Sequence, residues 1–178
     1  MGLAHASNDR AFRHELKYYI NRRDYEMLRS VLSSLMLPDE NAQNRGYHVR
    51  SLYFDDYWDS ALLEKINGVK ERKKYRIRIY NKSASLIRLE RKYKDGEYVQ
   101  KDSIPLTREE YDAIAVGEID FLLQKKNPMA RELYAEMRAK ALKPVVVVDY
   151  YREAFVYAVQ DVRVTLDTDL RAGLFTKE

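Results

Sequence analysis

The clearest pattern in the chain is an alternation of hydrophobic and polar residues with a period of two, which is typical of β-strands with one buried face. It is strongest over residues 74–80, 86–93 and 98–104. The turn signal Asp95-Gly96 and a polar loop at residues 81–85 separate these runs. The pattern therefore predicts three strands of an antiparallel meander.

Further strands are predicted where β-branched and aromatic residues cluster. These segments are "FRHELKYYI" (12–20), "YHVRSLYFDD" (47–56), "KPVVVVDYYREAFVYA" (143–158) and "VRVTLDTDL" (162–170). The polar pair Gln160-Asp161 separates the last two, which predicts a second strand pair.

Helical spacing of apolar residues predicts α-helices between the strands. Residues 22–37 follow a cap at Asn21 or Asp24 and stop at Pro38, and a short helix over 57–66 is closed by Asn67-Gly68. Two more helices begin at Thr107, which forms a capping box with Glu110, and at Asn127 before Pro128. The fold class is therefore predicted as α+β, with one domain over residues 12–178 and a flexible N-terminus over 1–11.

A row of like charges lies on one face of the predicted meander. Lys74, Arg76 and Arg78 share a face in one strand, and Arg88 and Lys92 share a face in the next. Such charges can form the solvated side of a half-buried sheet, but like charges on neighbouring strands destabilise each other by roughly 0.2–1 kcal/mol per pair. If the sheet closes into a barrel, the same residues line a positive lumen suited to a polyanion.

Other charged residues fit the same interpretation. Lys17, Arg152 and Arg163 lie in strand-like runs far apart in the sequence. Glu15 and Glu90 each lie two residues before a lysine on the same face, and carboxylates among cations can share a divalent Mn²⁺ or Mg²⁺ ion with phosphate oxygens. Salt bridges to neighbouring basic residues are the alternative role for both glutamates.

Composition excludes several classes of chemistry. The chain has no cysteine, which excludes disulfides and thiolate sites and favours the cytoplasm. The three histidines have no zinc-ligand spacing, and no glycine-rich nucleotide loop is present. The formal net charge of +4 supports only a mild preference for anionic partners, so the position of the charges matters more.

Six segments occur in a fixed order along the chain: "FRHELKYYI", "SLYFDD", "YRIRIY", "LERKYK", "PVVVVDYYREAF" and "VRVTLDTDL". In sequence and order they resemble the VTC domain, the polyphosphate polymerase domain of the vacuolar transporter chaperone group. The resemblance covers residues 12–174, and the VTC domain is one of the triphosphate tunnel metalloenzymes. It implies an antiparallel β-barrel, the triphosphate tunnel, with helices packed outside.

The resemblance also implies an activity: a metal-dependent transfer of the terminal phosphoryl group of ATP to a growing polyphosphate chain. The residues that match phosphate-binding positions are Lys17, Arg76, Arg78, Lys92, Lys101, Arg152 and Arg163. Of these, Arg76, Arg78 and Lys92 are the expected catalytic residues. Glu15 and Glu90 match acidic positions and are the expected ligands of Mn²⁺ or Mg²⁺.

The chain departs from the superfamily pattern at both ends. Many members open with Glu-x-Glu-x-Lys, whereas this chain has Arg13-His14-Glu15-Leu16-Lys17, which favours the polymerase branch over the hydrolase branch. The family pattern also continues with a Glu-x-Lys strand and a Ser-Lys motif, but this sequence stops at "RAGLFTKE". Either the sequence is shortened relative to a longer protein, or the tunnel lacks a wall.

Two rival functions remain open at this point. One is a triphosphate hydrolase that uses the same tunnel, and the other is a non-catalytic module that binds polyphosphate or a nucleotide. Nucleic acid is not expected as a partner, because basic residues spread over a closing sheet suit a narrow channel better than an open groove. No run approaches the roughly 18 apolar residues of a membrane span, and tethering by a membrane-bound partner protein stays open.

Overall fold

The computed structural model describes residues 13–40, 42, 45–157, 159 and 162–175. The predicted flexible N-terminus and the predicted turn at Gln160-Asp161 lie outside the described residues. In chain order the strands and α-helices are β1 (Arg13–His14), α1 (Arg22–Leu35), β2 (Leu37–Pro38), β3 (Tyr47–Asp55), α2 (Ser60–Ile66), β4 (Glu71–Tyr80), β5 (Ser83–Asp95), β6 (Tyr98–Leu106), α3 (Arg108–Val116), α4 (Pro128–Ala139), β7 (Lys143–Tyr157) and β8 (Val162–Leu174). A 3₁₀ helix, Asp120–Gln124, lies between α3 and α4.

All strands belong to one antiparallel sheet. Their order is β1-β6-β5-β4-β3-β7-β2, and β8 also pairs with β7. The predicted α+β class, an antiparallel β-barrel with helices packed outside, is confirmed in the form of a half-barrel: the sheet is curled and the helices lie around it. In the described part of the chain, β8 pairs only with β7 and β1 pairs only with β6.

Three of the four predicted helix starts are confirmed, whereas the short helix predicted over residues 57–66 begins at Ser60. Asn21 caps α1 and forms a capping box with Asp24, and Thr107 forms the predicted box with Glu110 at α3. The side chain of Asn127 accepts a hydrogen bond from the backbone N–H of Met129 at the start of α4. These local side-chain bonds satisfy backbone donors that have no partner inside the helix, which explains why they were readable from the sequence.

The N-terminal segment differs from its prediction. The pattern predicts a strand over residues 12–20, but pairing with β6 covers only Arg13–His14, and residues 15–20 have no regular secondary structure. The side chains of Leu16, Tyr18 and Tyr19 are exposed. The alternating pattern therefore has no buried apolar face here that could stabilise a longer strand.

The main core lies between one face of the sheet and the later helices. Ile77, Leu89 and Ile104 on β4 to β6 are buried against apolar residues of α3, the 3₁₀ helix and α4. We call this side of the sheet the outer face. The opposite side, which carries Ser51 and Arg78, is called the inner face. Because side chains alternate along a strand, burying the apolar set on the outer face places the charged set of the same strands on the inner face.

A two-residue turn closes the hairpin between β4 and β5. The predicted loop over residues 81–85 is only Asn81-Lys82, and both residues have positive φ, at 51° and 56°. Asparagine tolerates this conformation, whereas lysine is strained by its Cβ.

Replacing Lys82 with glycine is expected to raise the free energy of unfolding by roughly 1 kcal/mol, because glycine adopts positive φ without that strain. Urea unfolding measures the change. A Lys82→Ala variant is the matched control, since it removes the ammonium group but keeps the Cβ. A stability gain in the alanine variant equal to that in the glycine variant would contradict the explanation.

Candidate polyanion-binding site

The inner face of β4 to β6 is built from rows of side chains that lie opposite one another on neighbouring strands. The lysine row is Lys74, Lys92 and Lys101; the glutamate row is Tyr53, Arg76, Glu90 and Ser103; and the arginine row is Ser51, Arg78, Arg88 and Pro105. Successive rows lie roughly 7 Å apart, because they are two residues apart along each strand. Two cationic rows therefore flank one row that contains a carboxylate.

Glu90 is the centre of the glutamate row and is fully buried. Its Oε2 accepts a hydrogen bond of 2.7 Å from Arg76 Nε, and its Oε1 lies 2.6 Å from Lys101 Nζ. Arg76 also donates to the hydroxyl of Tyr53 at 3.1 Å. Burial raises the pKa of Glu90, but the charges of Arg76 and Lys101 outweigh it and hold the pKa below its ordinary value. The carboxyl group is therefore ionised near neutral pH.

Arg78 has a different environment. Its side chain is only 5% exposed, and it donates to Ser51 Oγ and to the hydroxyl of Tyr150, each at 3.0 Å. No carboxylate of the described residues forms an ion pair with it. A buried guanidinium that is bonded only to neutral hydroxyls is energetically unfavourable, and binding of an anion beside it would lower that cost.

Two carboxylates outside the lysine row form ion pairs with its lysines, namely Glu15 of the N-terminal segment and Glu90 of the adjacent row. Lys92 forms an ion pair with Glu15, and Lys17 lies 3.5 Å from the other oxygen of Glu15. Burial lowers the pKa of Lys92 and of Lys101, while Glu15 and Glu90 respectively oppose this effect. A bound anion would relieve the cost of keeping these ammonium groups charged.

Burial also lowers the pKa of the remaining lysine in this row, Lys74, and the nearby charge of Lys65 lowers it further. Lys74 has no ion-pair partner among the described residues. The lysine row therefore contains one paired end and one end that lacks a carboxylate.

The predicted cations of β7 and β8 lie at the other end of the sheet. Arg152 forms a two-pronged ion pair with Asp167, with both N···O distances at 2.7 Å. Arg163 lies 2.8 Å from Asp39 Oδ2 and donates to the hydroxyl of Tyr47 at 2.9 Å. These carboxylates hold the two guanidinium groups in fixed orientations in the free protein.

The fold thus brings the predicted phosphate-binding residues of β4 to β6 onto one face, and register places Arg152 and Arg163 on the same face of β7 and β8. Lys17 lies outside any strand and is largely exposed. Sequence reasoning missed the hydroxyl groups that position the arginines, namely those of Ser51, Tyr53, Tyr150 and Tyr47. Only the alternation in "YHVRSLYFDD" and "DYYRE" pointed toward them, because their partners are on other strands.

The described residues contain no group of three or more histidine, aspartate or glutamate side chains arranged to hold a metal ion. Glu15 and Glu90 nevertheless fit a smaller donor set. They are bonded to Lys92 and Lys101, which lie opposite each other on β5 and β6. Magnesium sites often combine one or two carboxylates with substrate phosphates, so these two oxygen donors fit a metal that is bound together with a phosphorylated substrate.

A cavity of about 460 Å³ lies on the outer face, between α2, α4 and the sheet. Its lining carries many carboxylates: Lys73 pairs with Glu132 and Glu136, Arg91 pairs with Glu132, and further acidic lining residues are Asp55, Asp56, Glu64 and Glu71. These carboxylates distinguish the cavity from the arginine row of the inner face, where Arg78 has no ion-pair partner among the described residues. The inner face is therefore the better candidate for binding an anion.

The curled antiparallel sheet thus carries rows of cations on its inner face. The family model of the VTC domain matches residues 12–175. The chain belongs to the VTC domain family, a family associated with polyphosphate-related phosphotransferases. Among curated proteins, none matches the chain. No α-helix of the described residues is both long enough and apolar enough to cross a membrane.

Proposed function

We propose that this domain transfers the terminal phosphoryl group of ATP to a growing inorganic polyphosphate chain on the inner face of the sheet. The observation that carries the proposal is the environment of Arg78. It is a buried cation on the inner face, bonded to two hydroxyls and to no carboxylate of the described residues. A phosphate group supplies the missing negative charge, and a guanidinium binds it with paired hydrogen bonds.

Each cation has a proposed role. Arg76, Arg78 and Lys92 clamp the donor triphosphate, since they lie on adjacent strands in successive rows. Arg152 and Arg163 on β7 and β8 guide the polymer, with Lys17 and Lys101 as further phosphate contacts. Because most of these cations have carboxylate partners in the free protein, substrate phosphates compete with those carboxylates for the same hydrogen bonds.

The chemical step needs no phosphorylated side chain. An oxygen of the acceptor's terminal phosphate attacks the terminal phosphorus of ATP, the bond to the bridging oxygen breaks, and ADP leaves with the electron pair. The guanidinium groups offset negative charge on the transferred group and on the leaving oxygen. Their fixed positions on a packed sheet also align donor and acceptor before the reaction.

We assign Glu15 and Glu90 as the protein ligands of a divalent Mn²⁺ or Mg²⁺ ion, completed by phosphate oxygens. When bound, the ion would neutralise charge on the triphosphate. The glutamates have a second role that does not depend on the metal, because Glu15 and Glu90 orient Lys92, Arg76 and Lys101. The proposed location is the cytoplasm, where ATP is available, with a membrane-bound partner protein as a further proposed contact.

The direct test incubates the purified chain with ATP and Mn²⁺ or Mg²⁺ and resolves products on a gel. Polymer that grows with time supports the proposal. Release of orthophosphate without polymer supports a triphosphate hydrolase on the same face instead. Binding of polyphosphate without metal-dependent turnover supports a non-catalytic binding module. A chain that neither binds polyphosphate nor consumes ATP would contradict all three functions.

A further inference from the structure

The arginine row contains a cation that the motif positions do not include. Arg88 lies on β5 directly opposite Arg78 on β4, so two guanidinium-bearing residues are cross-strand neighbours on the inner face. The strands on either side add no acid to this row. Ser51 lies opposite Arg78 on β3, and Pro105 lies opposite Arg88 on β6.

Arg88 is half-buried and, like Arg78, is bonded to a hydroxyl rather than to a carboxylate. Among the described residues it donates to the hydroxyl of Ser103, at a long distance of 3.4 Å from Nη1. Glu90 lies two residues after Arg88 on the same strand, but its carboxylate forms ion pairs with Arg76 and Lys101. Among the described residues, neither Arg78 nor Arg88 forms an ion pair with a carboxylate.

This arrangement is unfavourable in the free protein. Like charges directly opposite each other on neighbouring strands repel, and one member of this pair is buried. If Arg88 served only to stabilise the fold, a neutral residue at this position would do so better. An anion bound between the two side chains would offset this repulsion.

The surrounding hydroxyls add donors to the same place. Ser51 and Tyr150 each accept a hydrogen bond from Arg78, so the proton of each hydroxyl stays free to be donated. Arg78 is bonded on its β3 and β7 side and Arg88 on its β6 side, so the N–H groups that each guanidinium leaves unbonded can bind the acceptor oxygens of one phosphate group between them.

We infer that Arg88 and Arg78 together form one phosphate subsite, in which Arg88 is a further substrate-binding residue. This inference rests on the proposed function, because it deepens the same inner-face site. The subsite lies roughly 14 Å from the lysine row, two rows away along the strands. It also has no carboxylate among its described members, so it binds phosphate without a divalent ion.

The test measures binding of inorganic tripolyphosphate and of orthophosphate to the full chain by calorimetry in the presence of a chelator. We expect Arg88→Gln to weaken tripolyphosphate binding by about 10-fold to 100-fold, the loss typical of a charge-assisted pair of hydrogen bonds. Arg88→Lys keeps the positive charge but not the paired N–H donors of the guanidinium. Its affinity for tripolyphosphate should therefore lie between those of the wild type and Arg88→Gln. Arg131→Gln is the matched control, since Arg131 is exposed on α4.

A second readout separates binding from a structural role. Without ligand, Arg88→Gln is expected to raise the melting temperature by about 1–3 °C, because it removes repulsion from Arg78. A structural role predicts a lower melting temperature instead. A variant that melts lower and binds as the wild type does would overturn the inference.

The outcomes also distinguish this inference from the proposed function. If the wild type binds tripolyphosphate and makes polymer while Arg88→Gln binds equally well, Arg88 is not in a subsite and the proposed function stands. If binding requires the divalent ion in every variant, the metal-free subsite is wrong. If the wild type binds no tripolyphosphate at all, both the inference and the proposed function fail.

Discussion

Replacing Arg78 with alanine is expected to lower the rate of polymer synthesis from ATP by at least about 1,000-fold, the scale seen when a preorganised arginine is removed from phosphoryl transfer. Arg78 is held between Ser51 and Tyr150, so its position does not have to be organised during the reaction. Its guanidinium also forms no ion pair with a carboxylate of the described residues, so its unbonded N–H groups are available to the substrate.

The fold should survive this substitution, because the variant removes a buried charge that forms no ion pair with a carboxylate of the described residues. Circular dichroism and thermal melting of the free variant check that expectation. Arg131→Ala, which removes an exposed arginine of α4, is the control for the change in net charge. Arg78→Lys should recover only part of the rate, since one ammonium group does not reproduce the two-pronged contact to Ser51 and Tyr150.

Near-normal polymer formation by the folded Arg78→Ala protein would remove Arg78 from the mechanism. If the alanine variant still binds ATP and polyphosphate with unchanged affinity but does not turn over, Arg78 acts on the transition state rather than on substrate binding. If the affinity for ATP falls by the same factor as the rate, Arg78 binds the donor equally in the ground state and in the transition state. Single-turnover measurements with saturating ATP separate these outcomes.

Replacing Glu90 with glutamine is expected to lower the free energy of unfolding by about 3 kcal/mol, because it leaves Arg76 without its buried counter-charge. Glu90 is fully buried, while its partner Lys101 is partly exposed, so most of the penalty falls on Arg76. The corresponding drop in melting temperature is roughly 10 °C for a chain of this size. Glu118→Gln is the matched control, since Glu118 is exposed beyond the end of α3.

The pH dependence of this difference has a definite sign. The pKa of Glu90 is lowered in the folded protein by Arg76 and Lys101, so its ion pairs add stability above the ordinary value of 4.5. That contribution is lost as the pH falls through the lowered folded-state pKa. Urea unfolding of wild type and Glu90→Gln should therefore differ most at neutral pH and converge in acid. An equal difference at all pH values would contradict ionisation of Glu90 as the cause.

Phosphate offers a further check on the role of Glu90. If its carboxylate only neutralises Arg76 and Lys101, tripolyphosphate should stabilise Glu90→Gln more than wild type, because the anion takes the place of the missing charge. If Glu90 instead holds a divalent ion with the substrate, the variant should lose the part of the phosphate affinity that depends on Mn²⁺. Melting temperatures with tripolyphosphate, measured with and without Mn²⁺, distinguish the two roles.

The success of the strand and helix predictions has a local cause. The capping boxes of Asn21 with Asp24 and of Thr107 with Glu110 are complete within four residues, so they form wherever the helix forms. The hairpin at Gly96 likewise depends on a residue that accepts positive φ. The segment after His14 was mispredicted because a strand needs a partner, and no local pattern reveals whether the partner is within reach.

The inner face was partly predictable for a similar reason. A period of two is a property of any strand, so placing Arg76 and Arg78 together needed only their spacing and the burial of Ile77 between them. The distant members of the site were assigned through resemblance to a family. Neither route identified Arg88 as the direct neighbour of Arg78, because register between strands depends on turn length and on packing of the whole sheet.

The order of residues over short stretches of the sequence therefore determined the helices and strands, the α+β class and the separation of charged from apolar residues. These features depend on neighbours a few positions apart. Tertiary structure alone decided which cations have acidic partners. Glu90 neutralises Arg76 and Lys101, Asp167 holds Arg152, and Arg78 has only hydroxyls among the described residues. Ion pairing falls off over a few ångströms in space and takes no account of distance along the chain, so only the folded sheet could separate the neutralised cations from those left for a phosphate.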